Sequence, residues 1–482
     1  MHTPTSEQAI VHKASVDLLS KPRGIIKVVA GAGCGKTTTL VGSASECKKA
    51  GGSRLLYLAF SKPLVQAGEA SFRNIAAVRT FNAMAYEGTA AGATGRPTTQ
   101  IYPTQVIDAF GLNDKRLPTQ ATTFARIILA IVTTYCQSSS VEMGPSHIPY
   151  WVKDPVCAGL ALKYAEVLFK GLLPGVKTSL PLPHDVIVKS WALRGCPGLS
   201  AYDFVFLDEA QDLSGVLLGC LAYAKRACYV GDAAQQIFGF KGAQDAMLKV
   251  PGHAFPLSLS FRFGQEIADA ANSIIRSKAS KAELGLKGLS SNSASVGPFS
   301  KQEPHTRIFR TNAGLLAGAL TLSDLGASID IVGDMAELQS KIEGSYALLR
   351  GATREIRHPA YQQFRSWDEF EGWMYRNQDS EVSQIGSLVK NNARRVDSLV
   401  RLCKAKNPRG LITLITAHRA KGCEWRNVLI SNDFDSRLDG LLINGQSMSP
   451  KGDEELNLLY VATTRTMFKL ESQSESLNDI IR

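Results

Sequence analysis

The run Ala30-Gly31-Ala32-Gly33-Cys34-Gly35-Lys36-Thr37-Thr38 combines small side chains with one lysine and two hydroxyls. Small residues let backbone N–H groups close around an anion, and a helix starting near Gly35 adds partial positive charge there. Lys36 is then placed to bridge the β- and γ-phosphates of a nucleotide, and the Thr37 hydroxyl to ligate Mg²⁺. Ala30 stands where the pattern GxxxxGK[ST] usually has its first glycine. A glycine-rich turn carrying an ordinary lysine is the plainer alternative, and the run GCGKTT between a strand and a helix argues against it.

A second chemical group closes the apolar run Phe204-Val205-Phe206-Leu207, where Asp208 and Glu209 lead into Ala210-Gln211-Asp212. Asp208 suits a nucleotide-bound Mg²⁺, held mostly through water, and Glu209 suits the orientation or deprotonation of an attacking water. Acidic residues also favour helix N-termini electrostatically, so this pair takes its meaning from the phosphate loop in the same chain. Together the two groups read as nucleoside-triphosphate hydrolysis with Mg²⁺.

The motif DEAQD and the blocks around it, taken in order, resemble superfamily 1 helicases of the UvrD/Rep/PcrA type. Several blocks are particularly similar to the F-box DNA helicase branch, although no F-box is visible here. The resemblance covers most of the chain outside 88–201 and 278–410. Thr5-Ser6-Glu7-Gln8 is similar to the family's N-terminal glutamine motif, which implies that Gln8 reads the adenine edge; a polar helix cap explains it equally well. Val230 to Ala243 is similar to the next motif, with Gln235 as γ-phosphate sensor and Phe240 and Lys241 on the DNA strand. Ala234 there replaces a common Asp, and without the motif Phe238 and Phe240 would read as core residues. Leu259-Ser260-Phe261-Arg262-Phe263-Gly264 implies that Arg262 faces the γ-phosphate and that Phe261 stacks near the adenine, where many relatives have Tyr.

Thr416 to Trp425 matches a further block, in which Glu424 takes the ribose contact and Thr416 and His418 the strand-facing, coupling positions. Leu459 to Thr466 resembles the last motif and implies an arginine finger at Arg465, a cation for charge developing on the transferred phosphoryl group. Leu58 to Lys62 and Arg79 to Tyr86 match early DNA-binding motifs. Phe60, Lys62, Thr80 and Phe81 are their candidates for stacking and phosphate contact, while Asn82 replaces a frequent His. The resemblance thus implies an ATP-dependent translocase or helicase on single-stranded DNA or single/double-strand junctions, travelling 3′→5′.

These groups need parallel strands ending at one edge. Ile25 to Val29, Arg54 to Phe60, Ala76 to Arg79, Phe204 to Leu207 and Ala227 to Val230 read as strands, with helices at Pro63 to Phe72 and from Phe81. Alternating strands and helices imply an α/β fold with helix-covered parallel sheets, and the resemblance makes these two RecA-like P-loop motor domains. The expected map is 1–87 and 202–256 for the first domain, a mostly helical accessory insertion at 88–201, and 257–482 for the second domain. The insertion should hold helices at Ala121 to Tyr135 and Val156 to Leu172, with a loop at Gln137 to His147. Strand candidates in the second domain are Arg307 to Phe309, Ser328 to Val332, Leu411 to Ile415 and Asn427 to Ile430, and the Ser-rich stretch Ser290 to Ser300 reads as a surface loop. A small accessory insertion around 278–410 implies a reduced second accessory domain, so protein partners would supply loading or processivity.

The bulk properties agree. At 482 residues the chain needs more than one core, and with 44% hydrophobic and 20% charged residues it reads as an ordinary globular protein. No apolar run suggests a membrane span, and Met1 to Ser20 reads as an amphipathic helix rather than a secretory signal. Nine scattered cysteines without a CxxC pair give no zinc ribbon or disulfide framework, which favours a reducing, intracellular setting in cytoplasm or nucleoid/nucleus. The net charge of +11 favours a polyanionic partner. Basic surplus concentrates at Arg276 to Arg310, with seven Lys/Arg against two Glu, and at Leu388 to Gly410, with seven against one Asp; a solvated helix face explains either patch as well. Three readings stay open beside the helicase: an ATP-dependent clamp that never unwinds, a DNA-stimulated motor subunit of a repair or defence complex, and a motor on RNA.

Overall fold

The computed structural model describes residues 3–59, 62–89, 97–98, 101–237, 239, 247, 250, 253–280, 285–404, 410–443 and 445–482. The chain forms two compact units. The first comprises Met1–Ala30 and Gly35–Leu257, and the second Gly31–Cys34 and Ser258–Arg482.

The first unit is built on a six-stranded sheet. Its strands are β1 (Gly24–Ala30), β2 (Leu55–Ala59), β3 (Ala77–Thr80), β4 (Phe204–Leu207), β5 (Arg226–Gly231) and β6 (Ala254–Leu257), in the order β3-β2-β4-β5-β1-β6. All pairings are parallel. Strands β2 and β4 are buried at every residue, as a parallel sheet covered on both faces requires, which is why LLYLA and FVFL are continuous apolar runs rather than alternating ones. Parallel pairing aligns the carboxyl ends of the strands. Register pairs Val29 with Gly231, Leu207 with Tyr229 and Leu58 with Leu207, so the residues after β1, β2, β4 and β5 emerge along one edge. Ligands of open α/β sheets bind at that edge.

Between β3 and β4 the rhythm gives way to helices at Pro103–Phe110, Ala121–Gln137, Pro155–Gly171 and His184–Leu193. Phe124, Ile128, Ile131, Val132 and Tyr135 of the second helix recur at the spacing of one helical face and are buried. The third begins on an Asp154 cap that accepts from the N–H groups of Val156 and Cys157, with Pro155 in the first turn. These helices share one hydrophobic core with Leu56, Leu58, Val205 and Leu207 of the sheet, so they extend the first unit rather than forming a separate core.

The second unit repeats the plan. Its six-stranded sheet holds β7 (Ser295–Val296), β8 (His305–Phe309), β9 (Ile329–Ile331), β10 (Ile412–Thr416), β11 (Trp425–Ile430) and β12 (Thr466–Ser472), in the order β7-β12-β11-β8-β10-β9. Every pairing is again parallel. Helices at Asn312–Asp324, Met335–Leu349, Glu381–Asn391 and Val396–Lys404 pack a core onto this sheet. A small aromatic cluster of Tyr361, Phe364 and Phe370 with Met374 lies under the neighbouring turns. One local expectation changes: Ser295–Val296, inside the stretch read as a surface loop, pairs with Lys469–Leu470 as an edge strand. No helix among the described residues is long and apolar enough to cross a membrane.

Candidate functional site

β1 delivers the chain into the glycine-rich turn, and the helix Lys36–Lys49 leaves it. Gly33 and Gly35 have φ of +74° and +70°, left-handed values that a side chain would resist, and Gly35 is the N-cap. The helix N-terminus therefore has no side-chain cap, and its N–H groups are left to an anion. Thr38 is exposed, while Cys34 is buried with its thiol 3.8 Å from the Ala32 carbonyl.

The groups at the end of β4 meet this helix. The Thr37 hydroxyl donates to Asp208 Oδ2 at 2.6 Å, and Lys36 Nζ lies 3.2 Å from Glu209 Oε1. Glu209 takes a left-handed backbone conformation, φ 52°, at the sharp exit from the strand; such a residue outside glycine costs roughly 1–2 kcal/mol and marks functional turns. Its N–H donates to Asp208 Oδ1 at 2.9 Å. Burial, and then the charge of Glu209, push the Asp208 carboxyl up to about 6, against the pull of Lys36 and the Thr37 hydroxyl. Burial alone would depress the Lys36 ammonium, but Glu209, Asp232 and Asp208 together raise it. One lysine thus faces three carboxylates. A hydroxyl and a buried carboxylate in contact, beside an electronegative surplus, fit a nucleotide-borne Mg²⁺, which takes one or two protein oxygens and completes its shell from phosphate and water. Thr37 and Asp208 would hold it.

A relay of amides, only partly foreseen, orders the rest. Gln211 Nε2 donates to Glu209 Oε2 at 2.6 Å, and Gln211 Oε1 accepts from the Asp232 N–H at 3.0 Å. Asp232 Oδ2 in turn accepts from Gln235 Nε2 at 2.6 Å. Glu209 and Gln235 are therefore linked through Gln211 and Asp232. Gly231 permits the link, because a Cβ there would come within 2.8 Å of Gln211 Oε1. Tyr57 was also missed: its hydroxyl lies 3.4 Å from Asp208 Oδ2.

Gln8 lies in a capping box, its Oε1 accepting from the Thr5 N–H at 3.0 Å, while its Nε2 donates to Thr39 Oγ1 at 3.2 Å. Both ends of the amide are engaged, so Gln8 ties the first helix to the phosphate-loop helix.

In the second unit, Arg262 Nε donates to Glu424 Oε2 at 2.7 Å and its Nη1 to the Thr464 carbonyl at 2.9 Å. Arg465 is 2% exposed; it donates to the carbonyls of Val461 (3.0 Å) and Cys423 (3.3 Å) and to Thr464 Oγ1 (3.1 Å). Arg262, Glu424 and Arg465 thus converge around Thr464. The Phe261 N–H donates to the Gly33 carbonyl at 2.9 Å and the Ala32 N–H to the Tyr460 hydroxyl at 3.2 Å, all four residues belonging to this unit.

The strand-contact candidates divide. Phe81, the first residue of the helix Phe81–Thr89, is 2% exposed and packs in the first unit's core. Thr80 caps that helix by accepting the Ala83 N–H at 3.0 Å. Lys62 opens the helix Lys62–Ser71, its side chain being outside the described residues, as are Phe60, Phe240 and Lys241. Thr416 is buried at the end of β10, and His418 is half-buried in the short helix that follows.

A phosphate loop and an acidic pair at the carboxyl edge of one parallel sheet, with a second parallel-sheet unit carrying clustered arginines, define the class: a P-loop protein of RecA-like build. Residues 361–471 match the UvrD-like helicase C-terminal domain. Two curated relatives align over 99% of the chain: F-box DNA helicase protein 1 of Schizosaccharomyces pombe, 29% identical, and F-box DNA helicase 1 of Gallus gallus, 27% identical. The alignments cover 57% and 50% of those proteins, so the chain spans about half the length of the curated relatives it matches. The likeness to UvrD-type superfamily 1 helicases, and to the F-box DNA helicases among them, that the motif order implies is thereby shown.

Proposed function

We propose that this chain hydrolyses ATP to move along single-stranded DNA, 3′→5′, and separates duplex ahead of it. The observation that carries the reading is the pairing of Lys36 with Glu209 and of Thr37 with Asp208 at one sheet edge.

Arriving phosphates give Lys36 a stronger partner than Glu209. Once released, the Glu209 carboxylate is held by Gln211 and can orient and deprotonate the attacking water. Mg²⁺, when bound, neutralises charge on the phosphate oxygens. Through Asp232 and Gln211, the Gln235 amide is connected to Glu209, which suits it to report whether the γ-phosphate is present. Gln8 takes the adenine edge, Phe261 its face and Glu424 the ribose. Arg262 and Arg465 supply positive charge to the transferring phosphoryl group by exchanging their present carbonyl and carboxylate acceptors for phosphate oxygens. The strand is held by Phe60, Lys62, Thr80, Phe81, Phe240, Lys241, Thr416 and His418 through stacking and phosphate contacts. Nucleotide binding can drive movement only through its different affinity for two states of the protein.

The test is ATP turnover with and without single-stranded DNA, for wild type and Lys36→Ala. Strong stimulation that vanishes in the variant is the expected result. Turnover indifferent to DNA and RNA alike contradicts a nucleic-acid motor.

A further inference from the structure

Tyr57 sits in the middle of β2, where a run of five buried residues reads as ordinary strand core. Its position gives it two neighbours of different kinds. At one end, the hydroxyl approaches Asp208 Oδ2 at 3.4 Å, the same oxygen that accepts the Thr37 hydroxyl at 2.6 Å. At the other, the ring stacks on Phe72, with centroids 4.4 Å apart and planes at 26°. Phe72 follows directly on the helix Lys62–Ser71, and Gly68 of that helix lies over the same ring: a Cβ at Gly68 would come within 2.8 Å of Tyr57 Cε1 and 3.4 Å of Val78. The helix thus seats on the tyrosine because residue 68 has no side chain.

We propose that Tyr57 is a positioning residue that couples the helix opening at Lys62 to the carboxylate of Asp208. The inference rests on the reading of Asp208 as the Mg²⁺ carboxylate and of Phe60 and Lys62 as strand contacts. Among the described residues three donors approach Asp208: the Thr37 hydroxyl, the Glu209 N–H and, at longer range, the Tyr57 hydroxyl. Of these, Tyr57 alone has a body packed on the helix that starts at Lys62. Any shift of that helix on strand binding passes through the stacked rings to the hydroxyl, and so to the orientation of Asp208. A phenylalanine at position 57 would keep the packing and lose this connection.

Two substitutions separate the ends of the device. Tyr57→Phe keeps the ring and removes the donor. Gly68→Ala keeps the donor and lifts the helix from the ring. For each, ATP turnover is titrated with Mg²⁺ at saturating and at zero single-stranded DNA, and thermal melting is followed in parallel. Tyr57→Phe should raise the Mg²⁺ concentration for half-maximal turnover roughly fivefold, the effect of one lost hydrogen bond, and cut the stimulation by DNA. Gly68→Ala should cut the stimulation while leaving Mg²⁺ dependence without DNA at the wild-type value. If Tyr57→Phe keeps both the wild-type Mg²⁺ dependence and the wild-type stimulation, the inference is wrong. It is equally wrong if Gly68→Ala keeps full stimulation, an outcome that decides the matter even where Tyr57→Phe proves unstable. A wild-type protein showing no stimulation at all would instead overturn the motor reading beneath it.

Discussion

Arg310 and Glu455 meet through two hydrogen bonds of 2.6 Å in the second unit, with side chains 16% and 9% exposed. Asp433 joins them by accepting the N–H groups of Arg310 and Thr311, both at 2.9 Å, and Gly314 leaves room for its carboxylate. Glu455 lies in the second turn of the helix Pro450–Thr463, which ends two residues before Arg465, so this pair anchors the segment that carries the proposed finger. Breaking a buried pair from one side strands a charge and costs about 3–5 kcal/mol. Glu455→Ala and Arg310→Ala should each lower the free energy of unfolding measured in urea by an amount of that order, and the double substitution by clearly less than their sum. Strict additivity would show that the two side chains do not depend on each other.

At this scale the legible residues were those whose chemistry is rare in its setting. A lysine after GCG, or two carboxylates ending an apolar strand, has few structural explanations, and Lys36, Thr37, Asp208 and Glu209 do come together. Tyr57 and Gln211 gave no such signal, because a tyrosine in LLYLA looks like core and a glutamine's partners depend on the fold. Phe81 was ambiguous for the converse reason: an aromatic at a helix start suits stacking and core alike, and its burial was not legible from the motif.

Among the elements, periodicity located the insertion's helices at Ala121–Gln137 and Pro155–Gly171 within about two residues of the expected limits. It missed β6 and β12, whose sequences AFPL and TMFKLES carry a proline and scattered polar residues in place of an apolar run. Nor could it foresee Lys189, a buried lysine whose amine donates to the Ser138 and Ser140 carbonyls at 2.8 and 2.6 Å and lies 4.1 Å from the centre of the Tyr135 ring. It pins the turn after the helix Ala121–Gln137 to the helix His184–Leu193. Burial lowers its ammonium to about 8, against about 10.4 in an unfolded chain. Below about 8 both states hold the proton and the fold bears the cost of a buried charge. Between there and roughly 10.4 only the unfolded chain keeps it, so this group's contribution to stability rises with pH. Lys189→Met lacks that group. The stability of wild type relative to Lys189→Met should therefore rise from pH 7 to pH 9.5, and parallel curves would show that the amine is not perturbed.

For the whole molecule, the net charge of +11 gives the proposed strand contact its long-range attraction. Neutralising phosphates releases counterions, so the DNA concentration giving half-maximal ATP turnover should climb steeply with salt, with a log–log slope of roughly 0.7 per phosphate contacted. A flat salt response would leave the basic surplus without a role in binding. Binding and hydrolysis alone would still describe a clamp. The most direct test of motion is ATP-driven strand displacement from duplexes carrying a single-stranded 3′ or 5′ tail. Opening of the 3′-tailed duplex, dependent on ATP and lost in Lys36→Ala, is the expected result. If DNA stimulates hydrolysis yet neither duplex opens, and ATP does not speed release from the end of a single strand, the chain is a switch and the claim of a motor is contradicted.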